Sequence, residues 1–246
     1  MKSSIPKSAR ERILTTHPEG QKCQVEFVLG GRVVGVRYFL PEGTPEIEYG
    51  LQGGCLHGMR YDFMGGHLLS AEPYVNGLVH GVARQWSPDG KLLGTYRMNQ
   101  GSGIDLWRSQ RRDGSPYLAE VHYIIRGRPH GFEWWINENQ RTVHWERGWR
   151  NGEPHGIERQ WTGRRLDRGY PRFHLRGKRV SKVEYLKACL KHKSLPRYRQ
   201  EDDCPERSFP PEIRRKLHFP QDGAKKLRAR VAAPLMEKHK EKGPTY

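Results

Sequence analysis

Recurring glycines limit this chain to a stacked design. The phrase N-G-x-x-H-G occupies residues 76–81 and again 151–156, each time followed by a run that alternates apolar and polar residues. The shorter pair His-Gly also occurs at His57-Gly58 and His130-Gly131, beside His80-Gly81 and His155-Gly156, with spacings of 23, 50 and 25 residues. The middle gap holds two periods, with Ser102-Gly103 as its inner member. Val34-Gly35 stands one period before the series and Val180-Ser181 one period after it. Six glycines, at 35, 58, 81, 103, 131 and 156, therefore mark six units, and a degenerate seventh begins near Arg176. Self-similarity at this period identifies a repeat architecture.

The residues after each marker define the unit. One position on stand Val36, Met59, Val82, Ile104, Phe132 and Ile157; the next position is mostly polar, with Arg37, Arg60, Asp105, Glu133 and Glu158. Apolar residues return at the third and fifth positions, as in Tyr38, Tyr61, Leu106 and Trp134, then Phe63, Trp86, Ile136 and Trp161. Period-two alternation predicts a strand with one buried face. Each strand then meets a turn, of which Asp89-Gly90 and Asp113-Gly114 are hairpin dipeptides. A second strand follows, so each unit is a β-hairpin. The expected fold class is an all-β repeat: an elongated antiparallel sheet of serial hairpins, with a short C-terminal capping helix and a basic tail.

The boundaries follow from that frame. Residues 1–24 form an N-terminal extension with a short helix over 10–14, and residues 25–180 form the repeat domain. Residues 181–195 form the capping helix, where Ser181 and Glu184 make a capping box and Val183, Leu186 and Leu190 make one helical stripe. Residues 196–246 form a proline-rich basic tail, partly extended or disordered, which Phe209, Leu217 and Phe219 are suited to lay along the sheet. Charge is uneven: the whole chain carries +17, and +11 of it falls in the 73 residues from His174 onward. Lys225, Lys226, Arg228 and Arg230 surround Leu227 and Val231 as a basic amphipathic patch. Such a tail suits nucleic acid, anionic lipid or an acidic protein, and charge alone does not choose among them.

The phrase Y-x-N-G-x-x-H-G with a D-G-K-L hairpin behind it resembles the MORN-variant repeat. It is most similar to bacterial multi-repeat proteins of the YwqK type, often labelled as antitoxin components of toxin–antitoxin modules. The resemblance is strongest over residues 73–96 and 147–170, covers roughly 25–185, and is weakest where Ser102 replaces the histidine. It implies an elongated sheet used for binding, with a toxin as the protein partner, and it brings anionic-lipid attachment as a further possibility for MORN repeats in general.

The histidine column does not suit a metal. Equivalent residues of successive hairpins lie about 9.5 Å apart at two strand spacings, too far for shared coordination at about 2 Å from zinc. His57, His80, His130 and His155, with Gly58, Gly81, Gly131 and Gly156, are therefore expected to act as structural turn residues, and no metal or cofactor is expected. Cys23, Cys55, Cys189 and Cys204 are scattered, which suits free thiols in a cytoplasmic protein. No apolar stretch is long enough to span a bilayer. The chain has no G-x-S-x-G, Walker or H-E-x-x-H motif, so a non-enzymatic role is expected. Trp86, Trp134 and Trp161 fall on the apolar face as core. Trp107 and Trp135, four residues after their marker glycines and in one column with Phe39, fall on the opposite face and are the candidate partner-binding residues.

Overall fold

The computed structural model describes residues 2–218. Seventeen strands form one sheet in which consecutive strands pair antiparallel, except that the seventh and eighth both pair with the sixth and the fifteenth and sixteenth both pair with the fourteenth. The first nine are β1 (Arg10–Thr16), β2 (Lys22–Leu29), β3 (Arg32–Phe39), β4 (Pro45–Gln52), β5 (Cys55–Met64), β6 (His67–Val75), β7 (Leu78–Val79), β8 (Gly81–Trp86) and β9 (Leu92–Asn99). The remainder are β10 (Ser102–Gln110), β11 (Pro116–Ile125), β12 (Arg128–Ile136), β13 (Val143–Arg150), β14 (Glu153–Thr162), β15 (Arg165–Leu166), β16 (Arg172–Leu175) and β17 (Lys178–Val180). Helix α1 (Lys182–Lys191), a 3-10 turn (Gln200–Asp203) and the single turn α2 (Pro211–Arg214) complete the described chain. Each hairpin contacts mainly its neighbours, as a linear array requires.

Several joints between hairpins carry an enlarged bulge. In β4–β5, Tyr49 pairs with Arg60 and Leu51 with Leu56, so Gly50 alone faces His57, Gly58 and Met59. The same one-against-three count recurs at Gly148 facing His155, Gly156 and Ile157. Two extra residues must be folded out of the ladder, and positive φ at Gly58 (85°), Gly131 (76°) and Gly156 (130°) does this. The β2–β3 joint differs: Val28 pairs with Val33 and Phe27 with Gly35, so only Val34 is extra. A one-residue slip exchanges the faces of a strand. Arg37, Glu48 and Tyr61 consequently lie in one cross-strand row, although Arg37 and Tyr61 sit two and three positions after their glycines.

One face of this sheet is covered by segments near both ends of the described residues. Near the N-terminus, Tyr61 Oη donates to the Lys2 carbonyl at 2.6 Å, and Met59 N–H donates to Ser4 Oγ. Ile5 packs there with Val25 and Phe27. At the other end, Tyr185 of α1 is fully buried against Phe173, with ring centroids 5.1 Å apart. Beyond α1 the chain turns back across the sheet. Trp161 Nε1 donates to the Asp203 carbonyl at 2.8 Å, and Arg159 Nε donates to Asp203 Oδ1 at 2.8 Å. Phe209 meets Trp134 edge-on at 5.4 Å, and Phe209 and Ile213 join Leu106, Val121 and Ile136 in the largest apolar cluster. The path ends at His218, whose carbonyl accepts from Arg111 and whose N–H donates to the buried Gln140 side chain at 3.1 Å. The serial-hairpin fold class is therefore observed, with Phe209 and Leu217 laid on the sheet. Residues 196–218 belong to the core rather than to a loose tail. Phe219 and the basic patch of Lys225, Lys226, Arg228 and Arg230 lie outside the described residues.

Two helical expectations change. Residues 10–14 lie in strand β1, not in a helix, and pair with β2 through Arg12–Glu26 and Lys22–Glu11 ion pairs. The run has helix-forming residues, but the free backbone groups of β2 offer a full ladder of hydrogen bonds, and tertiary pairing prevails over local propensity. Charges along the new edge discourage further pairing. Helix α1 forms with the expected capping box, yet its packed face is Tyr185, Ala188 and Cys189. Val183, Leu186 and Leu190 are 61, 41 and 86% exposed. Among the described residues no helix is long and apolar enough to cross a membrane.

Candidate functional site: the open face and its turn edge

The phrase that repeats does structural work along one edge. His80 Nδ1 accepts the backbone N–H of Gln100 at 3.1 Å, and His155 Nδ1 accepts that of Arg176 at 3.1 Å. Both donors are the positive-φ residues that open the next hairpin turn, at 48° and 49°. Ser102 does the same job without a ring: its Oγ accepts the N–H of Arg126 at 2.9 Å. A backbone ladder runs beside these bonds, with Gly77, Gly101, Gly127, Gly152 and Gly177 N–H donating to Leu56, Val79, Gly101, Pro129 and Pro154 carbonyls at 2.8–2.9 Å. His57 and His130 keep Nδ1 buried and unpaired. The two histidines that make the bond are the two inside complete N-G-x-x-H-G phrases.

The opposite face carries the candidate residues. One cross-strand row over β10–β14 reads Trp107, Glu120, Trp135, Trp145, Gln160. The adjacent row reads Asp105, His122, Glu133, Arg147, Glu158, Arg172. Among the described residues both covering segments lie on the other face, so within that span this face presents what its own strands project. Trp107 and Trp135 thus share a row, with Glu120 between them. Phe39 does not join them. The one-residue slip in β3 puts it on the covered face, packed against Ile5, Val25 and Phe27.

Around Trp135 the open face is a compact polar-aromatic surface. Trp135 is 39% exposed. It meets Trp145 edge-on at 5.9 Å and His144 at 5.8 Å, and its Nε1 donates to Glu133 at 3.3 Å. Arg147 lies between two indoles, its guanidinium carbon 4.7 Å from the Trp145 ring centre and 5.3 Å from that of Trp149. Arg147 Nη2 donates to the buried Glu158 at 2.7 Å, and Glu158 also meets His174 at 2.9 Å. Glu133 accepts from Trp149 and Trp135. Burial raises its pKa, but His122 and these indoles outweigh burial and hold it below the usual carboxylate range.

His122 lies within 3.4 Å of Glu120 and Glu133 and 3.6 Å of Asp105. Burial disfavours its charge, but the three carboxylates prevail and raise its pKa to about 11. Further along the face, Tyr74 and Tyr96 hydroxyls donate to the buried Glu72. Among the described residues, no group of His, Cys, Asp and Glu is arranged to hold a metal ion.

Sequence reasoning from the marker glycines missed Trp145, Arg147, Trp149 and His122 as members of this surface, because all four lie on the second strands of their hairpins. A signal was present: Trp145, Arg147 and Trp149 recur at every second position, which places them on one face of a strand. Comparison with protein-family models, with curated sequences and with solved structures gives no match in any of the three.

Proposed function

We propose that this protein is a non-catalytic interaction scaffold of MORN-like hairpin repeats that docks a protein partner on its open face. The observation that supports the reading is the asymmetry of the two faces. Among the described residues, the segments 2–9 and 196–218 cover one side, while the other keeps a partly exposed Trp135 beside an arginine held between two tryptophans. Tryptophan and arginine dominate binding energy at protein interfaces, because each offers large contact area with directional polar atoms. A guanidinium already fixed by Trp145, Trp149 and Glu158 loses little further freedom on binding. The resemblance to antitoxin-type repeat proteins makes a toxin the partner to seek. The turn histidines take no part in this chemistry.

The test is affinity capture with the full chain, with a chain ending at residue 218, and with Trp135→Ala and Trp107→Ala. The reading requires one protein partner retained by both chain lengths at moderate salt and lost with Trp135→Ala. Recovery of nucleic acid or anionic lipid that depends on residues 219–246 and falls steeply with salt would replace it with the basic-tail reading.

A further inference from the structure

A second site lies on the covered face; Arg147 and Trp149 of the surface above also line it, and Trp135 does not. A cavity of about 460 Å³ separates the fifth and sixth hairpins from the segment after α1. Phe132 and Trp134 form its apolar wall, with stacked rings 4.0 Å apart, and Pro196 and Arg197 stand across from them.

Four side chains that line it keep a buried nitrogen without a partner: His130 Nδ1, Arg147 Nε, His155 Nε2 and Arg159 Nη2. Arg159 is only 5% exposed. Its Nη1 donates to Glu146 and its Nε to Asp203, both at 2.8 Å, but Nη2 is buried without a partner. His155 accepts at Nδ1 from the Arg176 N–H, so the neutral ring carries its proton on Nε2. That Nε2 is also buried and unpaired. Burial, then Arg150, Arg176 and His192, push the His155 pKa down and keep the ring neutral. Buried polar groups are normally paired, so each orphan calls for a partner.

The orphans on Arg147, His155 and Arg159 are N–H donors, so the partner they lack is an acceptor. The lining is net cationic: Arg147, Arg150, Arg159 and Arg197 outnumber Glu146 and Asp202. Arg150 and Arg197 line the cavity, are exposed, and make no ion pair among the described residues. The Glu146 carboxylate is already engaged by Arg159 and Arg207. A cavity with cationic walls concentrates anions, and its volume falls within the range of small-molecule sites.

We propose that this cavity binds a small aromatic anion. A planar ring would lie against Phe132 and Trp134, and a phosphate or carboxylate would be held by Arg150 and Arg197 with the donors of His155 and Arg159. The last N-G-x-x-H-G phrase then has two uses: one imidazole nitrogen fixes the next turn and the other is left for a ligand.

Calorimetric titration of the full chain tests this, with adenosine monophosphate and indole-3-acetate as ring-bearing anions and inorganic phosphate and adenosine as controls. At least one ring-bearing anion should bind one-to-one and about tenfold or more tighter than either control. The double variant Arg150→Ala/Arg197→Ala alters exposed residues and should keep the unfolding temperature while weakening that binding about tenfold or more. Trp135→Ala should leave it unchanged, which separates this site from the open face. The proposal is overturned if neither ring-bearing anion saturates, if inorganic phosphate binds as tightly, or if the double variant binds as well as the parent.

Discussion

His80 and Gln100 join two hairpins: the imidazole Nδ1 accepts the Gln100 N–H at 3.1 Å, in a turn where Gln100 has a φ of 48°. His155 repeats the arrangement with Arg176, and Ser102 reproduces it with Arg126. The bond satisfies a backbone donor that the turn removes from the strand ladder, which accounts for the histidine in both complete N-G-x-x-H-G phrases.

The histidine substitutions should therefore divide into two groups. His80→Ala and His155→Ala each remove a hydrogen bond and should cost about 0.5–1.5 kcal/mol. His57→Ala and His130→Ala, whose Nδ1 atoms have no partner, should cost less. Urea unfolding of the four variants decides it, and equal costs across the set would contradict the turn-bonding role.

The segment after α1 should behave as core. Phe209→Ala leaves a void beside Trp134 and should cost about 3–5 kcal/mol, with Ile213→Ala at about 2–5 kcal/mol. A chain cut after Leu195 should lose cooperative thermal unfolding, because Trp161, Trp134 and Leu106 lose their cover. Retained cooperativity in that truncation would show that the sheet stands without it.

His122 should make stability depend on pH in the alkaline range. Its folded pKa, about 11, lies above the ordinary 6.5, so the stabilisation is complete below about 6.5 and is lost as pH rises through 11. His122→Gln should be more destabilising at pH 6 than at pH 10.5 in paired denaturation curves. A penalty independent of pH would mean that the ring is not held as a cation among Asp105, Glu120 and Glu133.

Helix α1 should show which of its faces is packed. Tyr185→Ala, at a fully buried residue, should cost several kcal/mol, by analogy with about 3–5 kcal/mol for large aromatics. Ser181→Ala removes the cap and should cost about 1 kcal/mol. Leu190→Ser, at 86% exposure, should fall within about 0.5 kcal/mol of the parent. Thermal unfolding of the three ranks them, and a large loss at Leu190 would place the apolar stripe inward instead.

The local pattern was legible wherever a rule of period two applied within one strand. It placed Trp134 and Trp161 in the core and set Trp107 and Trp135 in one row, as the cross-strand pairing shows. It failed at Phe39 because one extra residue at Val34, where other joints have two, reverses the faces of β3. It failed at Val183, Leu186 and Leu190 because helical spacing identifies a stripe but not the surface that the stripe will meet.

The sequence by itself determined the hairpin, its repeat and its glycine-bearing joints, because these depend on backbone conformations that few residues tolerate. Only the tertiary structure decided which face of the sheet is open. That depends on where residues 2–9 and 196–218 lie, and those contacts join positions far apart in the chain through burial rather than through any local period. The tertiary structure likewise brought His155, Arg159 and Arg197 around one cavity. His155 and Arg159 share strand β14, but nothing in the sequence places Arg197 beside them, since only the return of the chain across the sheet does so.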